Sequence, residues 1–427
     1  MIRRFGFLDM LAMTAVYRGR GSEAFMYVRR VFAVCALAAM VGAAWPVVAQ
    51  RNNDNKQKQQ QSARSPQEQQ DVQALVQAVD GALMADTGIP VPNATTPSAP
   101  PASAPTPKPL TLGGPDKSQG EIPIKWEINH FVKGQTDTYI PFTLNLDRAS
   151  VPGGAAVYIR IVNAEQANAF ASMMAKMASG QGNNKNQQPS RPTFAWDSIN
   201  FVDIPEDGRV SRAVQLKPGQ YAMFVAVKEK TPASAASGGK NDNKKNDKNQ
   251  PATAAPAGKV GVLRHDLTVP DFTANELSTS SVIIAKSVDQ VAGPTGDQES
   301  NPYVFGPMKI TPSIDGKFSK KDELSVIFWI YGAQAAAGGK PDVTIDFNFH
   351  QRLPEGEKYF NKTAPQQLNA QTLPQEFSVE KGHQLPGSLV VPLESFPAGE
   401  YRLEIKVTDK PSGKTVTQNV NFTVLPV

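Results

Sequence analysis

The chain is predicted to be all-β: two related antiparallel β-sandwich domains in tandem, preceded by a leader, a Gln/Pro-rich segment and one short helix. Three observations carry this. From about residue 121 the sequence breaks into short runs of β-branched and aromatic residues separated by Gly, Pro, Asn and Asp, the punctuation of strands and turns. Within the runs apolar and polar residues alternate, as they do when one sheet face is buried and the other wet. The same hairpin then occurs twice. Leu216-Lys-Pro-Gly219-Gln-Tyr221, with Met223, Val225 and Val227 after it, matches Phe396-Pro-Ala-Gly399-Glu-Tyr401, with Leu403, Ile405 and Val407, without a gap. Residues 258–269 match 413–424 in the same way.

Taken in chain order, residues 26–49 read as an export leader. Arg29 and Arg30 precede an apolar run from Val31 to Trp45, and Val47 and Ala49 stand where a signal peptidase reads small residues. Met26 then serves as the start, residues 1–49 are the signal-peptide region, and the expected location is the periplasm or exterior of a bacterial cell. Retention of the leader would make it a membrane tether. The 427 residues hold 44 basic and 39 acidic side chains, but residues 1–49 carry six of the former and two of the latter, leaving 38 against 37. A neutral remainder argues against a nucleic-acid partner. The one cysteine, Cys35, lies inside the leader, so the remainder has neither disulfides nor thiolate chemistry.

Residues 50–120 are expected to be a disordered spacer with one helix. The stretch 50–70 is rich in Gln and Asn and has little to bury. Over 71–86, Val72, Leu75, Val76, Val79, Leu83 and Met84 recur at helical spacing. Such a helix either packs on the domain after it or docks elsewhere. Eight prolines in 88–109 predict a semi-rigid extended segment.

The first sandwich, 121–272, has strand candidates at 122–131, 138–147, 155–163, 193–203, 209–216, 221–229 and 259–269. Its inserts are 164–192, helix-prone and carrying Met173, Met174 and Met177, and 231–257, a polar tract at a hairpin tip where added length costs little. Copper binding by the methionine thioethers is the alternative to a Met-lined helix resting on the sandwich. The second sandwich, 273–427, has candidates at 306–311, 322–331, 342–350, 376–381, 386–393, 401–409 and 414–424, with 279–285 as a strand in the connection or at its edge. Both faces of 324–331 are apolar, so Trp329 and Tyr331 need a cover.

Leu-x-x-Gly-x-Tyr leading into an alternating strand, at 216–221 and with Phe396 in place of Leu at 396–401, resembles the tyrosine corner of immunoglobulin-like and fibronectin type III-like sandwiches. The resemblance implies that Tyr221 and Tyr401, with Gly219 and Gly399, play a structural part, each tyrosine hydrogen-bonding back across a strand corner. More loosely, 269–285 and the module after it are similar to β-rich tails of secreted bacterial proteins of the GWxTD and von Willebrand A-like types. The defining motifs of both types are absent from the chain.

Little points to chemistry. His130, His265, His350 and His383 are not spaced to share a metal. His265 falls opposite the inward-facing Val420 of the second copy; it is either a buried neutral histidine or the sign of a β-bulge near Leu263–Asp266, and the bulge is preferred because it accounts for the switch in parity between Val262 and Leu267. Nucleophile elbows and phosphate loops are absent from the sequence. The expected function is therefore non-enzymatic, without cofactor or metal: an interaction or structural module whose partner is an envelope protein or a polysaccharide. The alternatives are a carbohydrate-binding accessory protein with Trp126, Trp196 or Trp329 as a stacking platform, and a hydrolase with an interdomain site.

Overall fold

A computed structural model describes residues 64–89, 108–178, 192–230, 258–274, 276–291, 299–336, 339–379 and 383–426. The expected leader, residues 50–63, most of the Pro-rich segment and the insert 231–257 lie outside them. Among the described residues no helix is long and apolar enough to cross a membrane. The chain divides into two units. One ends at Ser281 and takes back Pro294–Val304; the other comprises Val282–Gly293 and Phe305–Val427. The division expected after 272 thus moves nine residues on.

Helix α1 (Pro66–Asp86) begins five residues before its expected start. Ser65 caps it: its hydroxyl accepts from the Glu68 backbone N–H at 3.3 Å, and the Glu68 carboxylate accepts from the Ser65 N–H at 2.9 Å. This reciprocal box, with Pro66 in the first turn, satisfies two of the donors a helix start leaves open. At the other end Thr87 Oγ1 donates to Leu83 O at 2.9 Å.

The residues that flank the Pro-rich segment lie side by side. Lys108 N donates to Thr87 O at 2.8 Å, so its two ends meet, whereas twenty residues of polyproline would hold them about 60 Å apart. Order does not begin only at residue 121, because β1 (Lys117–Gly120) pairs with a strand of the first sheet.

The first sandwich contains β2 (Ile124–Asn129), β3 (Val132–Lys133), β4 (Thr138–Leu146), β5 (Ala155–Val162), α2 (Ala164–Ala178), β6 (Trp196–Val202), β7 (Arg209–Leu216), β8 (Gly219–Glu229) and β9 (Val260–Val269). One sheet runs β1-β9-β8-β5-β6; in the other, β4 lies between β7 and the pair β2 and β3. Ile140, Phe142 and Leu144 of one sheet meet Val157, Ile159, Met223, Val225 and Leu263 of the other in a common core. The expected bulge in β9 is overturned. Its pairing with β8 runs unbroken from Lys228↔Val260 to Gly219↔Val269. The parity switch arises because both faces of β9 are covered: Leu263, Leu267 and Val269 face the sandwich, while Val262 faces the helices.

After β10 (Ser278–Thr279), the second sandwich is built from β11 (Ile283–Gln290), β12 (Val304–Phe305), β13 (Met308–Pro312), β14 (Lys317–Phe318), β15 (Glu323–Tyr331), β16 (Val343–Leu353), β17 (Gly356–Lys362), β18 (Gln366–Leu368), β19 (Leu385–Pro392), β20 (Gly399–Asp409) and β21 (Lys414–Val424). β15 lies between β11 and β19; the facing sheet runs β14-β21-β20-β16-β17. Strand for strand, β11-β15-β19 repeats β2-β4-β7, and β21-β20-β16-β17 repeats β9-β8-β5-β6. This three-on-four arrangement is the immunoglobulin-like sandwich.

Two expectations for this unit change. Residues 376–379 form no strand. The strand beside β16 is instead β17, reached by the tight turn Leu353-Pro354-Glu355-Gly356. The strand expected at 279–285 is β11, which runs on to Gln290 and is held inside the sheet between β13 and β15.

Candidate functional site

The duplication places two equivalent sheet faces in different surroundings. In the first unit the outer face of β8 carries Ala222, Phe224, Ala226 and Lys228. At the matching positions of β20 stand Arg402, Glu404, Lys406 and Thr408.

The first face is sealed. Leu75, Val79 and Leu83 of α1 and Ala167, Phe170 and Ala171 of α2 pack on Ala156, Tyr158, Ala222, Phe224, Ala226 and Val262 in a second core. Acidic residues of α1 meet a cation on each of three strands. Asp71 takes Lys228 Nζ at 2.6 Å; Asp80 pairs with Arg160; Asp86 takes Arg264 at 2.7 Å. Arg160 is fully buried, with Phe194 4.3 Å and Tyr158 5.2 Å from its guanidinium carbon and its Nε donating to Tyr158 Oη at 2.9 Å. Burial pushes the Tyr158 hydroxyl well above its ordinary range. Arg264 also donates to Asp266 at 3.0 Å, and Asp266 accepts from the Gly113 N–H at 2.7 Å, fastening the segment before β1. Buried charges of this kind need partners on every side, and here they have them.

The second face is wet. On the outer side of β17-β16-β20-β21, Tyr359, His350, Arg402 and Asn421 form one cross-strand row, and Asn348, Glu404 and Asn419 lie in the next. Arg402 donates to Glu357 at 2.9 Å and to Glu404 at 3.2 Å, and Arg352 to Glu357 at 3.1 Å. Those guanidiniums, Arg402 foremost, hold the Glu357 carboxyl below the usual range. Tyr359 is 53% exposed, with the His350 ring set edge-on at 5.9 Å. A register shift between Phe349 and His350 lets its neighbour Phe360 turn inward onto Phe396 at 4.9 Å and Tyr401 at 5.5 Å.

The residues singled out from sequence do not converge. Tyr401 Oη donates to Pro397 O at 2.8 Å, and Tyr221 is buried at the same place in the first unit. Gly219 and Gly399 share φ +150°, a conformation that L side chains rarely adopt. Trp329 is fully buried against Phe305 at 4.8 Å. Trp126 is half-buried, stacked on His265 at 3.9 Å and Phe142 at 5.0 Å. Trp196 is half-buried, its Nε1 donating to Ser198 Oγ at 2.9 Å. The tryptophans therefore supply no exposed, coplanar platform. Met173 and Met174 pack into the core beneath α2, while Met177 is 52% exposed. The two inserts leave opposite ends of β5: Val162 pairs with Ala222, and Ala155 with Glu229.

Fold and faces together define a tandem immunoglobulin-like chain with one sheet sealed and its duplicate open. No family model matches it, and no curated protein does. Among the solved structures that show likeness are three of different kinds. A trypsin-activated alpha-2-macroglobulin from Escherichia coli is 11% identical, with a TM-score of 0.20 over 72% of this chain and 17% of that one. An immunoglobulin-like protein from Pseudomonas aeruginosa is 14% identical, with a TM-score of 0.17 over 34% of this chain and 96% of that one. A family 123 glycoside hydrolase from Clostridium perfringens is 13% identical, with a TM-score of 0.18 over 36% of this chain and 28% of that one.

Proposed function

We propose that the protein is a non-enzymatic interaction module of the bacterial envelope or exterior, and that its contact surface is the open face of β17-β16-β20-β21. The carrying observation is the asymmetry between the copies. One sandwich spends two helices and several buried ion pairs on closing this face, whereas the other leaves it to solvent with its side chains already cross-linked. A face held in one arrangement before binding loses less entropy on contact. The leader-like residues 26–49 and the loose resemblance of 269–285 to tails of secreted proteins support an exported setting.

Affinity capture from envelope extracts tests this with the full mature chain, a chain lacking residues 50–63, and a variant carrying Arg402→Ala and Asn348→Ala. Capture that survives the deletion and disappears in the folded double variant supports the assignment. Capture that the double variant leaves unchanged overturns it.

A further inference from the structure

We propose that the open face binds a neutral polysaccharide, with the Tyr359 ring as its stacking surface. The inference rests on the interaction-module reading above and names its ligand.

Protein interfaces form around an apolar core, yet here one aromatic ring stands among amides, carboxylates and guanidiniums. An acidic polymer needs cations to spare. Here the cations Arg352, Arg402, Lys362 and Lys406 are matched in number by Glu357, Glu404, Asp346 and Glu400 on the same face, so it carries no positive excess. Among them stand the amides Asn348, Asn419 and Asn421, which both donate and accept as sugar hydroxyls do. Asn348 Nδ2 donates to Glu404 Oε1 at 3.3 Å, and Arg402 donates to Asn419 Oδ1 at 2.5 Å. These bonds fix the side chains before a ligand arrives.

Tyr359 completes the surface. It lies on the edge strand, its backbone paired to His350 and its ring braced by the imidazole edge. A phenol presented in this way offers a face to the C–H side of a pyranose and keeps its hydroxyl in water. From β17 to β21 the row crosses four strands, about 14 Å at the usual spacing. That is the scale of a short run of sugar units along a chain.

The test is native affinity electrophoresis of the full chain through gels containing dextran, a β-1,3-glucan or a galactomannan, with polygalacturonate as the acidic counterpart. The expected result is retardation by at least one neutral polymer and none by polygalacturonate. Tyr359→Ala should weaken retardation about tenfold, as loss of a stacking ring does, and Tyr359→Trp should retain it. Both variants change an exposed side chain, and an unaltered circular dichroism spectrum verifies their fold. No retardation by any neutral polymer, or equal retardation of Tyr359→Ala, overturns the proposal. If the Arg402/Asn348 variant still abolishes capture while no polymer is bound, the face contacts a protein: the glycan assignment fails and the interaction module stands. If neither experiment depends on the face, both fail.

Discussion

Lys228, on the last turnward stretch of β8, donates from Nζ to Asp71 Oδ1 in the first turns of α1 at 2.6 Å, with both side chains more than nine-tenths withdrawn from solvent. They are 157 residues apart. This pair, with Asp80–Arg160 and Asp86–Arg264, sets the register of the helix along the sheet. Apolar packing alone would tolerate a slide, whereas three fixed charge partners would not.

Removing one partner strands the other in the interior. Lys228→Met or Asp71→Leu alone is expected to destabilise the first unit by about 3–5 kcal/mol, while the double change Asp71→Leu with Lys228→Met costs less than either. Urea unfolding of the four proteins measures this. Additive losses would mean that the pair is not coupled.

Exchanging residues between the copies tests the sealed and open faces directly. Phe224→Glu gives the first copy the residue the second has at Glu404, and buries a carboxylate under α1 between Arg160 and Arg264, whose charges Asp80, Asp86 and Asp266 already take. A loss of about 4 kcal/mol or more is expected. Glu404→Phe on the wet face should change stability by less than about 1 kcal/mol. Thermal melts distinguish the two outcomes.

The corner of the second unit makes a smaller claim. Tyr401→Phe removes the bond to Pro397 O and should cost about 1 kcal/mol. Gly399→Ala forces a side chain into φ +150° and should cost about 1–3 kcal/mol. Denaturant midpoints of the two variants, compared with the parent, give the order.

Much of this fold is legible in the sequence because burial leaves a period. The ranges 209–216 and 414–424 fall where alternation puts them. Where alternation fails, so does the expectation. β17, Gly-Glu-Lys-Tyr-Phe-Asn-Lys, is exposed at six of seven positions and buries no stripe; its signal was the Pro354-Glu-Gly356 turn. β9 is covered on both faces and so resembles a bulged strand. The start of α1 was written in Ser65-Pro66-Gln67-Glu68, within a tract whose composition reads as disorder. The sealing of the first face was also visible: Ala222, Phe224 and Ala226 occupy the phase that β20 fills with charge. The open face and Tyr359 were not, because solvent-facing residues obey no period that would single them out.

The stability of the first unit depends on pH through a buried histidine. His130 is 3% exposed, with Nδ1 3.1 Å from Tyr303 Oη and the two rings edge-to-face at 5.7 Å. Burial pushes the imidazole down to about 4 and pushes the Tyr303 hydroxyl up, so both are neutral at pH 7 and the phenol is free to donate to a neutral ring. The unfolded chain, whose histidine titrates near about 6.5, binds the proton between those values and the folded chain does not. The contribution of this site is therefore complete above about pH 6.5 and declines as pH falls toward 4, by about 3 kcal/mol in all. His130→Gln cannot take up that proton. Urea midpoints of the parent and the variant, measured from pH 7.5 to 4, should converge as the pH falls, with the parent losing the larger share. Parallel profiles would show that His130 is protonated in the folded protein or reached by water.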